Sequence, residues 1–126
     1  MSFCTVINCI DGRVQENVAQ HLKAKFRVQH VDVVTETGPA GLLADEPDSL
    51  RAQALYRCVE ISMRAHGSRA LALVAHEDCA GNPKSDESQV RQLRVALSGL
   101  RRRFPRLEAV GLWVPLRGRI VEHHPR

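Results

Sequence analysis

Short apolar runs alternate with segments of helical periodicity along this chain, and no other feature constrains its fold as strongly. The run at 31–35 is rich in β-branched residues, which favour strands. The run at 70–75 is apolar without interruption, as expected for a strand that is covered on both faces. The predicted strands are residues 3–10, 31–35, 70–75 and 107–114, followed by a short closing strand at 119–122.

Three segments between these strands carry apolar residues at the spacing of an amphipathic helix. The first covers residues 12–26, and the third stops at Phe104 because Pro105 cannot continue a helix. The second begins at the capping residue Ser49 and ends near Gly67. Its predicted buried face consists of Leu50, Ala54, Leu55, Cys58, Ile61 and Ala65. Segments rich in turn-forming residues predict loops at 38–48 and 80–85.

Strands separated by helices imply right-handed crossovers and a parallel sheet flanked by helices on both faces. We therefore predict an α/β fold, a three-layer sandwich with a mostly parallel sheet in the order 2-1-3-4 and a short closing strand at its edge. In this order strands 1 and 3 are neighbours at a topological switch point, where open α/β sheets bind ligands. The 126 residues contain no repeat and no linker, which predicts a single domain over 1–126.

Two short motifs follow the two strands that meet at this point. Cys9-Ile10-Asp11-Gly12-Arg13 comes after strand 1, and His76-Glu77-Asp78-Cys79 comes after strand 3. Together they supply two thiolates and one imidazole, a ligand set that zinc accepts while its fourth position stays open. The alternative is that Cys9 and Cys79 are small buried thiols and that His76 is a core histidine with its hydrogen bonds satisfied.

Asp11 and Arg13 also allow two interpretations. Asp11 is well placed to cap the helix that begins at Gly12 or Arg13, which would leave Arg13 an ordinary exposed charge. Beside zinc, Asp11 could instead accept a hydrogen bond from bound water or ligate the metal itself. The rigid donor fork of Arg13 could decide between these by holding the carboxylate away.

Composition excludes several classes of protein. No apolar run approaches the roughly 20 residues of a membrane span, and the start of the chain does not resemble a signal peptide. We therefore expect a cytoplasmic protein without a membrane partner, whose four cysteines serve metal or thiol roles. Much of the net charge of +4 comes from residues 101–103 and the tail. Few aromatic residues accompany it, which argues against a nucleic-acid partner.

The pattern Cys9-x-Asp11-x-Arg13 with His76-x-x-Cys79 resembles the signature of the β-class carbonic anhydrases. Residues 33–41 are similar to that family's segment after strand 2, and residues 109–121 are similar to its closing strand and turn. The resemblance implies a zinc ion on Cys9, His76 and Cys79, with Asp11 and Arg13 as a catalytic dyad. It further implies reversible hydration of carbon dioxide to bicarbonate by zinc-bound hydroxide, in a homodimer.

By this resemblance the chain is a short, divergent member. Eight residues precede Cys9, whereas the family usually has a helical arm and pocket residues there. Thr35 and Glu36 stand in a segment where the family typically has an arginine. Two other functions therefore stay open: a zinc hydrolase acting on another small substrate, and a non-catalytic zinc-binding or interaction protein on the same fold.

Overall fold

A computed structural model describes residues 2–125 of the chain. Five strands form one sheet in the order β2-β1-β3-β4-β5. The first four are parallel, whereas β5 runs antiparallel to β4. The predicted order and the mostly parallel arrangement are thus confirmed. The strands are Phe3–Cys9 (β1), His30–Glu36 (β2), Ala70–His76 (β3), Glu108–Val114 (β4) and Val121–His123 (β5).

Helices cover both faces of the sheet and bury two separate apolar clusters. Because side chains alternate along a strand, Ile7 faces one cluster and Val6 the other. The first cluster includes residues of three helices, and the second includes Val18 and Leu22 of one helix. The helices are Glu16–Phe26 (α1), Pro39–Asp45 (α2), Leu50–His66 (α3) and Asp86–Arg103 (α4), and a 3-10 turn, Gly12–Val14, precedes α1.

Several predicted boundaries hold, and others move by a few residues. The Ser49 side chain caps α3 by accepting a hydrogen bond from the Ala52 N–H, and Gly67 ends the helix with a φ of 67°. Strand β1 stops at Cys9, one residue earlier than predicted, so Ile10 is exposed rather than buried. The closing strand begins at Val121 rather than at 119.

The predicted loop at 38–48 is wrong, because most of it is the helix α2. Pro39 occupies the start of this helix, where its missing N–H would have no helical partner and its fixed φ suits the first turn. Ala40, Leu42 and Leu43 are buried in the first core cluster. A glycine and a proline that suggested a loop therefore mark the entry to a short helix.

The predicted inward face of α3 is also wrong, apart from Leu55. Leu50 is 84% exposed and Ile61 is 52% exposed, and Ala54, Cys58 and Ala65 are exposed as well. The inward face contains polar atoms that are satisfied internally, since the Tyr56 hydroxyl donates to the Pro47 carbonyl oxygen at 2.7 Å. The buried residues of α3 are Ala52, Leu55, Tyr56, Val59 and Ser62.

Among residues 2–125, none of the helices combines the length and the apolar character that crossing a membrane requires.

Candidate metal centre

The candidate site lies where β1 and β3 separate at their carboxyl ends. The two strands pair from Thr5 with Leu71 to Ile7 with Leu73 and no further. In contrast, β1 stays paired with β2 up to Cys9, and β3 stays paired with β4 up to His76. The sheet therefore opens into a crevice between its central strands, with Cys9 on one side and His76 on the other.

Three ligand-type side chains converge in this crevice. Candidate ligand atoms of Cys9, His76 and Cys79 lie within 4.8 Å of one another, and all three residues are buried. The two Sγ atoms are 3.9 Å apart. Two thiolates at the usual Zn–S distance of about 2.3 Å in tetrahedral geometry would be about 3.8 Å apart. The spacing of the sulfur atoms thus fits a tetrahedral zinc ion.

The imidazole of His76 leaves one nitrogen free for a metal. Its Nδ1 lies 2.8 Å from the carbonyl oxygen of Glu77. Since a carbonyl oxygen only accepts, Nδ1 carries the hydrogen, and Nε2 presents a lone pair. Nε2 is buried and has no hydrogen-bond partner among residues 2–125. A buried polar atom without a partner is costly, and a metal ion between the sulfurs and Nε2 would satisfy it.

The surroundings of Cys79 disfavour its thiolate when no cation is bound. Burial, and then the neighbouring Cys9 sulfur, raise the pKa of the Cys79 thiol above its usual value. The backbone N–H groups of Gly81 and Asn82 act in the opposite direction by hydrogen bonding to the Cys79 sulfur. A bound zinc ion would stabilise the deprotonated form of both thiols, and its binding would release protons.

Asp11 and Arg13 form a close pair beside the three ligand-type residues. Asp11 Oδ1 accepts hydrogen bonds from the backbone N–H of Arg13 at 2.9 Å and from its Nε at 3.0 Å. Asp11 Oδ2 accepts from Arg13 Nη2 at 2.7 Å. These hydrogen bonds lower the pKa of Asp11 to about 2. Asp11 is therefore a carboxylate near neutral pH, and both of its oxygens are engaged by Arg13.

Asp11 both caps a turn and forms an ion pair in the structure. Its side chain caps the turn Gly12–Val14 through the backbone of Arg13, and the same oxygen accepts from the guanidinium. The helix-capping interaction and the ion pair therefore coexist. Half of the Arg13 side chain is exposed, so the pair stabilises the fold little; its main consequence is the fixed position of the carboxylate.

Two amide side chains hold the first motif, and neither was among the predicted site residues. Asn8 is buried at the end of β1, donates to the Val14 carbonyl oxygen at 3.0 Å and accepts from the Cys9 N–H at 2.8 Å. Gln15 Nε2 donates to the carbonyl oxygens of Cys9 and Asp11. A buried asparagine within an otherwise apolar run is the signal that sequence reasoning could have used.

Glu77 ties the second motif to β4. Its N–H donates to the Val114 carbonyl oxygen at 3.0 Å, and its Oε1 accepts from the Leu116 N–H at 2.9 Å. The turn that follows the motif is packed closely against the segment after β2. A Cβ atom on Gly81 would lie 2.7 Å from the Thr37 Cβ and 2.9 Å from its backbone carbon. Only glycine fits at this contact without displacing the Thr37 backbone.

Asp78 makes the remaining contact between the two motifs. Its Oδ2 accepts from Arg13 Nη1 at 3.3 Å, and its backbone carbonyl oxygen accepts from Arg13 Nη2 at 3.2 Å. The sequence shows Asp78 only as an acid between two candidate ligands. The structure shows that Arg13 joins the segment after β1 to the segment after β3.

Comparison with known proteins agrees with this fold. A family model described as "Putative carbonic anhydrase" matches residues 1–122, so the chain belongs to that family. A search of curated proteins gave no match. One similar solved structure comes from a study of two tetrameric β-carbonic anhydrases from the ascomycete Sordaria macrospora. Its TM-score is 0.57 at 14% identity, and the match covers 96% of this chain and 79% of the other. This likeness confirms the α/β fold predicted from the sequence.

Proposed function

We propose that this protein is a zinc-dependent lyase that reversibly hydrates carbon dioxide to bicarbonate, with zinc held by Cys9, His76 and Cys79. One observation carries the proposal. The Nε2 of His76, which has no hydrogen-bond partner within residues 2–125, and two sulfurs 3.9 Å apart form a three-ligand cluster beside an ionised carboxylate. A structural zinc site is usually closed by four protein ligands, whereas a catalytic one has three and an open position. Membership of the carbonic anhydrase family supports the same reaction.

The roles of the residues follow from their chemistry. Zinc at this position would lower the pKa of a water molecule towards about 7 and so supply a nucleophile near neutral pH. Asp11 would accept a hydrogen bond from that nucleophile and orient it, because its pKa of about 2 keeps it an acceptor. Arg13 holds Asp11 in place and limits its freedom to approach the metal. The catalytic assignment of Asp11 and Arg13 and the assignment of the ligands belong to this proposal.

The decisive experiment measures carbon dioxide hydration by stopped flow on protein whose zinc content has been determined. We expect about one zinc per chain and hydration above the buffer rate. Cys79→Ser should lose most of its zinc and its activity. Cys58→Ser is the matched control, because Cys58 is exposed on α3 and outside the cluster. Zinc-loaded protein without hydration activity would contradict the proposed reaction and favour a hydrolase for another small substrate, or a non-catalytic zinc protein.

We also propose that the protein is a homodimer formed through the outer surface of α3 and the neighbouring edge strand β2. Among the described residues, β2 pairs with β1 alone, so its other side is unpaired. Next to it, α3 exposes an apolar stripe, which we name the outer stripe of α3; it consists of Leu50, Ala54, Cys58, Ile61 and Ala65. An apolar surface is complementary to itself across a twofold axis, which favours a second copy as its partner.

The cysteines support a reducing location. All four are free thiols in the structure, and free thiols are typical of proteins kept in the cytoplasm. We therefore propose a cytoplasmic location.

A further inference from the structure

Arg13 is held from two sides, and only one side is the Asp11 carboxylate. Its Nε and Nη2 donate to Asp11, while its Nη1 and Nη2 donate to the carboxylate and the carbonyl oxygen of Asp78. A guanidinium has a rigid planar fork of donors, so a group that fixes one end also sets the orientation of the other. The contacts of Asp78 therefore bear on where Arg13 places Asp11.

The backbone of Asp78 has an uncommon conformation that serves this contact. Its φ is 58°, in the left-handed region, and Arg27 is the other described non-glycine residue with a positive φ. Side chains with a Cβ atom pay a steric cost in that region, although Asp and Asn tolerate it best. With Asp78 in this conformation, the chain places both His76 and Cys79 in the cluster and directs the Asp78 carbonyl oxygen to Arg13.

The side-chain contribution is the weaker of the two. The Asp78 carboxylate is 74% exposed and its Oδ2 lies 3.3 Å from Nη1, so solvent screens the ion pair. The hydrogen bond to the carbonyl oxygen depends instead on the backbone conformation. A substitution that penalises a positive φ should therefore disturb Arg13 more than one that only removes the carboxylate.

We propose that Asp78 is a positioning residue of the metal centre. Its left-handed backbone and its carboxylate hold Arg13, and Arg13 thereby keeps both Asp11 oxygens engaged and away from the metal. The inference rests on the proposed ligands but not on hydration of carbon dioxide. It predicts that disturbing Asp78 frees Asp11 to become an additional metal ligand.

The test uses Co²⁺ in place of zinc, because the visible absorption of Co²⁺ reports the number and type of its ligands. Asp78→Val penalises the left-handed conformation strongly, since a β-branched side chain is disfavoured there. We expect its Co²⁺ bands to differ from those of the wild type in the direction of a higher coordination number, because the freed Asp11 carboxylate adds an oxygen ligand. Introducing Asp11→Asn into the same chain should abolish the spectral difference, because the freed carboxylate causes it.

Three further variants make the result specific. Asp78→Asn tolerates the same backbone and offers an acceptor oxygen to Arg13, so it should retain the wild-type bands. Asp78→Gly keeps the backbone conformation but lacks the carboxylate. Its Co²⁺ bands should differ from those of the wild type in the same way as those of Asp78→Val, with smaller amplitude. Arg27→Val imposes a similar penalty at the end of α1, where Arg27 adopts a φ of 53°, and should leave the bands unchanged.

Two results would overturn the inference: unchanged Co²⁺ bands in Asp78→Val, or a difference that persists after Asp11→Asn is added. The second result would mean that Asp78 only shapes the loop between His76 and Cys79. If Asp78→Val does not fold or binds no Co²⁺, Asp78→Gly decides the question by the same criterion. Hydration activity plays no part in this measurement. A protein that binds Co²⁺ but does not hydrate carbon dioxide would refute the proposed reaction, and the Co²⁺ spectra would still test the role of Asp78.

Discussion

The crevice between β1 and β3 and the outer stripe of α3 present opposite arrangements of polarity. In the crevice, polar and ionisable groups are buried or engaged with one another, as with His76 and the Asp11–Arg13 pair. On the outer stripe, apolar side chains such as Leu50 and Ile61 face outwards. The chain thus buries polar groups where a ligand is expected and exposes apolar groups where a partner is expected. In each region this departure from the usual burial pattern points to a binding partner outside the chain, a ligand in the crevice and a second protein surface on the outer stripe.

Asp11→Asn gives the largest expected effect and tests the crevice. The variant retains the shape and the capping ability of the side chain but loses the charged acceptor. We expect the hydration rate to fall about 10²–10⁴-fold, the usual contribution of a general acid–base group, with zinc content unchanged. Asp45→Asn, an exposed acid at the end of α2, should retain full activity. If Asp11→Asn and the wild type had equal activity and equal zinc content, Asp11 would have no catalytic role and would only cap the turn.

The pH dependence of the same site has a defined direction. Hydrogen bonds from Arg13 hold the pKa of Asp11 at about 2, below its ordinary value of 3.8. Asp11 therefore stays ionised as the pH falls from 7 to 4, and the stabilisation from its pairing is lost only as the pH falls towards 2. Loss of hydration activity between pH 7 and 4 should instead have two other causes. The zinc-bound nucleophile, with a pKa of about 7 in the proposed mechanism, is protonated first, and zinc is released at lower pH as its ligands take up protons. Activity and zinc content measured in parallel across this range separate these causes. A further loss of activity centred near pH 4 while zinc is retained would contradict the lowered pKa of Asp11.

The two leucines on α3 provide the next test. Leu55 is 5% exposed and packs in the first core cluster, whereas Leu50 is 84% exposed. Leu55→Ala should lower the free energy of unfolding by about 2–5 kcal/mol, because it removes buried apolar contacts and leaves a cavity. Leu50→Ala should change it by no more than about 0.5 kcal/mol in the monomer. Urea denaturation at a protein concentration low enough to keep the chain monomeric measures both, and equal losses would contradict the assigned inner face.

Helix α3 also shows what periodicity could and could not predict. It carries two apolar stripes, one including Leu55 and Val59 and one including Leu50 and Ile61. Helical spacing finds both but does not say which one faces the sheet. The buried side also includes a polar residue, Ser62, whose hydroxyl donates to the carboxylate of Asp32 on β2 at 2.7 Å. That contact joins residues far apart in the chain and leaves no periodic signal.

The strands and the candidate site were easier to predict than the helix face. A buried parallel strand is mostly apolar, so its position is visible in the sequence to within about a residue or two. The sheet order then brings Cys9 and His76 together. The supports of the site were not predictable in the same way. Asn8 and Gln15 donate from their side chains to backbone carbonyl oxygens, and the backbone carbonyl oxygen of Asp78 accepts from Arg13. These bonds depend on loop conformations rather than on residue spacing.

Gly81→Ala tests how tightly the turn after the second motif is packed. A methyl group at this position would lie 2.7 Å from the Thr37 Cβ and 3.0 Å from the Gly38 nitrogen, and backbone atoms cannot move aside easily. We expect a loss of about 1–3 kcal/mol in the free energy of unfolding, as for other overpacked sites. Gly99→Ala within α4 is the matched control, since the nearest atom is the end of the Arg102 side chain at 3.9 Å. That variant should stabilise the protein by about 0.5–1 kcal/mol, and a similar loss in both would contradict tight packing at Gly81.

The smallest expected effect concerns the outer stripe of α3 and the proposed homodimer. Ile61→Asp places a charge in the middle of the stripe, where 52% exposure of Ile61 leaves room for it in the monomer. The monomer should therefore keep its free energy of unfolding within about 0.5 kcal/mol. The dissociation constant of the dimer should rise about tenfold or more, because association would bury an unpaired carboxylate.

Val95→Asp on α4 is the matched control, since Val95 is 58% exposed and lies outside the proposed interface. Sedimentation equilibrium at micromolar concentration measures both variants. A wild-type chain that sediments as a 14.1 kDa monomer would refute the homodimer, and a dimer weakened equally by both substitutions would place its interface elsewhere.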